Sequence, residues 1–114
     1  MQKNAKTGKW GEDLARKYLE NKGYAILETN WRHSHSEIDI ICRKDDIIVF
    51  VEVKVRTNPS FGTPESFVDE QKIEKMQEAA DEYIEQHDWN GELRFDIIAI
   101  EKNDVITHFE DAFY

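Results

Sequence analysis

Residues 47–55 read IIVFVEVKV, and this run decides the fold. β-branched residues favour strands, and successive side chains of a strand point to opposite faces. One face of the predicted strand therefore carries four valines and belongs to a core. The other face carries Phe50, Glu52 and Lys54, and Arg56 continues it. The run predicts a strand that is buried on its valine face and charged on the other.

Hydrophobic periodicity places six further elements around this strand. Gly23 is predicted to end the first helix, and Asn4 or Thr7 to cap its start. Residues 57–64, which contain both prolines, are predicted to form a loop. The order αβββαββ indicates an α/β fold. The predicted bounds are residues 7–22 for a helix, 24–31 and 37–42 for strands, 69–86 for a helix, and 93–100 and 105–109 for strands.

Length and composition indicate the class of protein. The 114 residues, of which 39% are hydrophobic, fit one domain over residues 1–114. No apolar stretch approaches the roughly 18 residues that a membrane span requires, and the N-terminus lacks an apolar signal core. We therefore expect a cytoplasmic protein that does not enter a membrane. The single cysteine, Cys42, cannot form an internal disulfide, and the histidines show no zinc-ligand spacing.

The distribution of charge bears on the kind of partner. The net charge is −9, which argues against a general nucleic-acid binder, because attraction to phosphate dominates such binding. The acidity lies in the second half, however. Residues 1–56 carry 11 basic and 9 acidic residues, a net charge of +2, and residues 57–114 carry 4 and 15, a net charge of −11. The half with the charged strand can therefore tolerate phosphate.

A short polar turn joins the charged strand to the strand before it, so the two are predicted to form an antiparallel hairpin. Alternation places Glu37 and Asp39 on one face of the earlier strand. With Asp45-Asp46 as a two-residue turn, Asp39 lies opposite Glu52, and Glu37 then lies opposite Lys54. A four-residue turn would place Glu37 opposite Glu52 instead. Both registers gather the four charges into one cluster, whereas an odd-numbered turn would scatter them.

Two carboxylates and a lysine in one cluster suit the hydrolysis of a phosphodiester. Mg²⁺ takes oxygen ligands, and Asp39 and Glu52 supply carboxylates. A bound metal lowers the pKa of water and neutralises charge at phosphorus. Lys54, on the same face, can orient that water or stabilise the transition state. The alternative is a cross-strand salt-bridge cluster on a solvated sheet face, which is common in antiparallel sheets.

The spaced motif of Asp39 followed by Glu52-Val53-Lys54 resembles the PD-(D/E)xK nuclease superfamily. Over almost the whole chain, the sequence is also similar to the YraN family, bacterial proteins related to archaeal Holliday-junction resolvases. Ser36 departs from that family, which usually has glycine there; a glycine would indicate a special backbone conformation or a close approach of substrate. The further motifs that carry the resemblance are Gly11-Glu12 with Leu14-Ala15, Gly23-Tyr24, Ile26-Leu27, Asn30 with Arg32, Glu37-Ile38-Asp39, Phe50-Val51 with Arg56, Phe61-Gly62 and Arg94-Phe95-Asp96.

The resemblance implies a restriction-endonuclease-like α/β/α core, with a mixed central sheet of about five strands and helices on both faces. It implies that Asp39 and Glu52 bind Mg²⁺ or Mn²⁺ and that Lys54 acts in catalysis. It also implies that Glu12, in the first helix, is a third catalytic acid and metal ligand. The alternative for Glu12 is an ordinary first-turn acid favoured by the helix dipole.

Four other charged residues each have two open interpretations. Glu37 either supports the metal ligands from outside or pairs with Lys54 or Arg56. Arg32, Arg56 and Lys72 can bind substrate phosphates, and Lys72 matches a lysine of the family. The alternative for these three cations is a solvated surface charge.

The sequence supports three hypotheses about function. The first is a metal-dependent endonuclease acting on DNA, in particular branched or structured DNA. The resemblance to resolvases also implies that it works as a homodimer. The second is a non-catalytic nuclease-fold protein that binds nucleic acid or a repair partner. The third is a protein-interaction module that uses the acidic second half. The low basicity of the chain favours the second and third hypotheses, whereas the intact acid–acid–lysine set favours the first.

Overall fold

The computed structural model describes residues 5–56, 69–101 and 103–113, with the backbone alone described for residues 5–7. The order of elements in these residues is αβββαββ, as predicted. The predictions for Asn4, for the loop at 57–64 and for Phe61-Gly62 lie outside them. The elements are α1 (Ala5–Asn21), β1 (Ala25–His33), β2 (Ser36–Lys44), β3 (Ile47–Arg56), α2 (Glu70–Gln86), β4 (Glu92–Glu101) and β5 (Ile106–Phe109).

The strands form one sheet in the order β1-β2-β3-β4-β5. β3 and β4 are parallel, and the other neighbours are antiparallel. A parallel pair needs a crossover connection, and α2 lies in the crossover between β3 and β4. The mixed five-stranded sheet confirms the predicted fold class.

Helices cover both faces of the sheet, as predicted. α1 packs on a core cluster that includes Leu19 and Val53, and α2 packs on a second cluster that includes Phe50 and Met76. β3 therefore contributes valines to one core and Phe50 to the other. The charged face of β3 is the α2 face, so it is not a solvated sheet face, and Glu52 is buried there. No helix within the described residues is long and apolar enough to cross a membrane.

Gly23 ends α1, as predicted, in a left-handed backbone conformation with φ +95°. The amides of Gly23 and Tyr24 donate to the carbonyls of Glu20 and Leu19, each at 3.0 Å. This Schellman arrangement satisfies the last carbonyls of a helix. The prediction that Thr7 caps the start is wrong, because α1 has already begun before that residue.

Gly11 allows α1 to lie close against β3. A Cβ atom at this position would be 2.5 Å from Val55 Cγ2, well inside van der Waals contact. A Cβ atom here would therefore force Val55 or the helix to shift, which glycine avoids. The next residue, the predicted site residue Glu12, is thereby held near the sheet.

Asp45 and Asp46 form the predicted two-residue turn between β2 and β3, since Lys44 pairs with Ile47. Asp45 has a φ of +55°, a left-handed conformation that aspartate adopts more readily than most residues and that tight hairpin turns need. The register is therefore one of the two even registers that the sequence predicts.

Side-chain alternation reverses in the middle of β1 and β2. Ile38 packs in the α2-side core, whereas Ile40, two residues later, packs in the α1-side core. In β1, Asn30 has φ +52°, and it lies between the register pairs Thr29↔Ile40 and Trp31↔Ile38. A left-handed residue within a strand twists it and exchanges its faces. The strict alternation predicted for β2 is therefore wrong, because it breaks between Ile38 and Ile40.

Candidate functional site

The candidate site lies where β2 and β3 stop pairing. Their ladder runs from Lys44↔Ile47 to Ile40↔Val51. At the next position, Asp39 Oδ2 accepts a hydrogen bond from the backbone N–H of Val53 at 2.8 Å. A side-chain carboxylate thus replaces a backbone acceptor where the ladder ends. The carboxylate of Asp39 is fixed beside the residue that follows Glu52.

Glu52 is the buried acid of the site, with a side chain that is 7% exposed. Burial of a carboxylate is costly unless a partner compensates its charge. Lys72 Nζ lies 3.6 Å from Glu52 Oε1. Lys72 belongs to the first turn of α2, where its backbone N–H donates to Oδ1 of the N-cap residue Asp69 at 2.8 Å. The start of α2 therefore brings a cation to the buried acid of β3.

Glu12 is held over β1 by a residue to which the sequence assigns no role. Asn30 Nδ2 donates to Glu12 Oε1 at 2.9 Å. Asparagine tolerates the left-handed conformation that this residue adopts. Two sequence signals could have marked Asn30: its place in a family motif, and a polar amide inside a strand pattern.

The residues that hold or adjoin the three predicted acids lie on neighbouring positions of β1, β2 and β3. Asn30, which binds Glu12, lies across from Asp39 in the register between β1 and β2. Asp39 in turn contacts Val53 of β3, next to Glu52. Neighbouring strands are about 4.8 Å apart, so a row across three strands spans roughly 10 Å. The residues that hold Glu12 and Asp39 are thus neighbours across the strands, but α1, which carries Glu12, packs on the valine face of β3, whereas Glu52 lies on the α2 face.

The other predicted site residues have different surroundings. Glu37 Oε1 lies 3.8 Å from Arg32 Nη2 across the β1–β2 pair, a partner that the sequence does not predict. Arg56 donates to Glu101 Oε2 at 3.0 Å, across the parallel pair of β3 and β4. Lys54 is half-buried on β3, paired in register with β4. The substrate-binding roles of Arg32 and Arg56 stay predictions.

Ser36 takes the place of the family's glycine without backbone strain. It is buried at the start of β2 and pairs with His33 across the β1–β2 turn. The positive φ in this turn belongs to Ser34, at +58°, and not to Ser36. A conformation restricted to glycine is therefore not needed at Ser36.

The donor chemistry of the site fits a hard divalent cation, because carboxylate oxygens are the ligands that Mg²⁺ and Mn²⁺ prefer. Cys42 does not belong to this set: it lies in the α1-side core, where burial raises the pKa of its thiol to about 12. Among the described residues, no group of three or more His, Cys, Asp or Glu side chains is already arranged to hold a metal ion. Binding would therefore require some of the carboxylates to move closer together.

A second buried acid, Asp96, lies on β4 in a closed hydrogen-bond network. Arg94 donates to both oxygens of Asp96 at 2.9 Å, and also to the Tyr24 hydroxyl at 2.7 Å. His108 Nε2 lies 2.7 Å from Asp96 Oδ2. The N–H of Asp111 donates to Asp96 Oδ1 at 3.0 Å. The network joins β4 to β5, to the start of β1 and to the C-terminal turn.

These hydrogen bonds keep Asp96 ionised. Burial works to raise its pKa, but hydrogen bonds from His108, from Arg94 and from the Asp111 amide together lower the pKa below its ordinary value. The hydrogen bond to Asp96 likewise raises the pKa of Arg94. Asp96 is therefore a structural anion, whose lone pairs are occupied by fixed donors.

Three comparisons relate the chain to known proteins. The uncharacterised protein family UPF0102 matches residues 11–100. A UPF0102 protein of Flavobacterium psychrophilum is 51% identical over 110 residues, which cover 94% of this chain and 92% of that protein. A UPF0102 protein of Syntrophomonas wolfei is 43% identical over 114 residues, covering 96% and 99%.

A solved structure of SfsA from Pyrococcus furiosus in complex with Ca²⁺ is a distant likeness. It aligns with 89% of this chain at 14% identity and a TM-score of 0.33. The chain spans 60% of the length of that SfsA chain. A likeness at this level carries no argument about the site.

Proposed function

The chain belongs to the uncharacterised protein family UPF0102, the YraN group predicted from its sequence, and on that premise we propose that it is a metal-dependent endonuclease. The reaction is hydrolysis of a phosphodiester in nucleic acid. One observation carries the proposal: the Asp39 carboxylate is docked on the Val53 amide, beside the buried Glu52, where the β2–β3 ladder ends. The proposed site consists of Glu12, Asp39, Glu52 and Lys54.

Each residue of the site has its own role in this proposal. Asp39, Glu52 and Glu12 would hold Mg²⁺ or Mn²⁺, which supplies an acidified water and neutralises charge on the phosphate when bound. Asp39 can serve as a ligand without leaving β3, because a carboxylate that accepts one hydrogen bond retains further acceptor positions. Lys54 places a compact ammonium on the same strand, where it stabilises the charge that develops on the phosphate.

Nucleic acid is the proposed substrate, and DNA, in particular branched DNA, follows from the resemblance to resolvases. Arg32 supports this choice. It lies on β1, which neighbours the strand of Asp39, and its side chain is 74% exposed and can contact a phosphate. The outer face of α2 carries exposed acids, among them Glu74, Glu78 and Asp81, which repel a duplex. Branched DNA has two-fold related strands, so we propose that two copies act together as a homodimer.

A second candidate function is binding of nucleic acid or of a protein without catalysis. Three ion pairs favour it: Lys72 lies against Glu52, Arg56 against Glu101 and, more weakly, Arg32 against Glu37. All three cations predicted to bind substrate therefore have an acid of the chain itself as a partner. The acidic second half would be the surface for a basic protein partner.

Calorimetry with Mn²⁺ tests the metal site. The sharpest variant is Asp39→Asn, because an amide oxygen can still accept a hydrogen bond from the Val53 N–H while the negative charge is lost. We expect wild type to bind Mn²⁺ at millimolar concentration or below, and Asp39→Asn to bind it much more weakly with unchanged thermal stability. If wild type binds neither Mn²⁺ nor Mg²⁺, with or without DNA, the endonuclease proposal is wrong.

Cleavage assays separate the two candidate functions. A panel of branched and linear DNA is incubated with wild type and with Lys54→Met, which keeps the apolar stem and removes the ammonium. We expect wild type to cut branched DNA, and Lys54→Met to bind Mn²⁺ and DNA without cutting. Metal and DNA binding by a wild type that cuts nothing on the panel supports the second function.

A further inference from the structure

Lys72 contacts an acid that the proposed metal site needs. Its Nζ lies 3.6 Å from Glu52 Oε1, and the Glu52 side chain is 7% exposed. At such a separation and burial, an ammonium and a carboxylate attract each other far more strongly than in bulk water. A divalent cation that binds Glu52 would have to approach within about 2–2.5 Å of the same carboxylate. The ammonium and the metal ion would then repel each other.

The side chain of Lys72 can leave Glu52 while its backbone stays in place. The backbone N–H is held by the N-cap Asp69 at 2.8 Å, so the first turn of α2 is fixed. The ammonium sits on a four-carbon stem, and the side chain is 37% exposed. Rotation about the stem therefore moves the charge between the buried carboxylate and the protein surface, without unfolding the helix.

We propose that Lys72 is a built-in competitor of the metal ion, and that its displacement from Glu52 couples metal binding to substrate binding. The inference rests on the proposed function. A metal ion on Glu52 drives the ammonium away, and a phosphate of the substrate is the anion that receives it. Coupling between two ligands is reciprocal. A substrate phosphate that binds Lys72 therefore raises the affinity for metal, and bound metal raises the affinity for that phosphate by the same factor.

Competition makes a prediction that a purely structural ion pair does not. Removal of the lysine charge should strengthen metal binding, although it removes an interaction of a buried acid. An arginine at the same place should weaken metal binding, because a guanidinium can hold a carboxylate through two hydrogen bonds. The two substitutions should therefore change the metal affinity in opposite directions.

The experiment is a calorimetric titration of the full chain with Mn²⁺ alone, at low salt, for wild type, Lys72→Met, Lys72→Arg and Lys75→Met. Lys75→Met is the matched control, since it removes the next lysine of the same helix. We expect Lys72→Met to bind Mn²⁺ about fivefold more tightly or better, Lys72→Arg to bind it more weakly, and Lys75→Met to match wild type. If Lys72→Met does not fold, the weakening in Lys72→Arg decides the question.

The outcomes distinguish this inference from the proposed function. If wild type binds Mn²⁺ and neither Lys72 variant changes the affinity in the expected direction, competition by Lys72 is wrong while the metal site stands. If neither wild type nor Lys72→Met binds Mn²⁺, the metal site itself is wrong, and the inference falls with it. If only Lys72→Met binds Mn²⁺ alone and wild type binds it once DNA is added, the lysine blocks the site and competition is supported; if wild type binds no metal even with DNA, the proposed function is wrong and the inference falls with it.

Discussion

Glu52 and Asp96 are both buried acids on neighbouring strands, yet the chain compensates their charges in different ways. Asp96 receives hydrogen bonds of 2.7–3.0 Å from Arg94, His108 and the Asp111 amide. Glu52 has Lys72 at 3.6 Å, a distance longer than a direct hydrogen bond. Short hydrogen bonds from three groups hold Asp96 in place, whereas the Lys72 ammonium lies beyond hydrogen-bond distance of Glu52 Oε1. The comparison contrasts an acid that fixed donors surround with one whose neighbouring cation is on a flexible side chain.

The largest expected effect on stability comes from removing the charge of Asp96. Asp96→Asn removes the charge that Arg94 and His108 surround, and breaking a buried ion pair costs about 3–5 kcal/mol. We expect the free energy of unfolding in urea to fall by about that amount. Glu110→Gln is the control, because it removes only an exposed partner 3.8 Å from Arg94 and should cost under about 1 kcal/mol. A loss as small for Asp96→Asn as for the control would contradict the closed network.

The pH dependence of stability provides a second test of the role of Asp96. The pKa of Asp96 is lower in the folded protein than its ordinary value, so its contribution is fully present above the unfolded pKa of about 3.9. That contribution is lost as the pH falls through the lower, folded pKa. We expect the free energy of unfolding of wild type to drop more steeply below about pH 4 than that of Asp96→Asn. Parallel pH profiles would show that another acid is responsible.

A smaller effect on stability is expected at Gly11, which lets α1 lie close against β3, the strand that carries Glu52. Gly11→Ala places a Cβ 2.5 Å from Val55 Cγ2. Overpacking costs about 1–3 kcal/mol, partly offset by about 1 kcal/mol of helix propensity. We expect a net loss of about 1 kcal/mol in urea unfolding and weaker Mn²⁺ binding, because Glu12 moves.

A double-mutant cycle tests the cause of that loss. Val55→Ala removes the clashing methyl group, so in this background Gly11→Ala should become neutral or stabilising. The acid transition assigned to Asp96 should be unchanged in all four proteins. Strictly additive effects of the two substitutions would mean that the clash is not what glycine avoids.

The smallest effect on stability is expected for Arg32→Gln. Its pair with Glu37 is 3.8 Å long, and the arginine side chain is 74% exposed, so the free energy of unfolding should change by less than about 0.5 kcal/mol. If Arg32 binds a phosphate, the slope of log affinity for DNA against log salt should fall by about one. An unchanged slope would leave Arg32 as an ordinary surface charge.

The β2–β3 hairpin could be predicted from sequence because its causes are local. A β-branched run, a polar pair of turn residues and a two-residue period fix β3 and its pairing with β2. The family resemblance then identified Glu12, which no local pattern places at the sheet. The order of elements and the pairing of Lys44 with Ile47 confirm the hairpin, and the role of Glu12 stays a prediction.

Other parts of the site depend on packing that no local pattern encodes. The reversal of alternation arises from one left-handed residue, Asn30, which also binds Glu12. A strand pattern does not reveal that a polar residue within it has a positive φ. The contact of Lys72 with Glu52 joins residues 20 apart and depends on how α2 packs against the sheet. Tertiary packing, rather than periodicity, therefore determines which charges become partners.

The parallel pairing of β3 with β4 has a consequence for the order of folding. The pair Ile47↔Glu92 joins residues that are 45 apart, whereas β2 and β3 meet across a two-residue turn. Because a longer loop costs more entropy to close, we expect the β2–β3 hairpin to form before β4 joins the sheet. Lys72 belongs to α2, within the crossover, so the early hairpin would carry Asp39 and Glu52 without this cation until α2 docks.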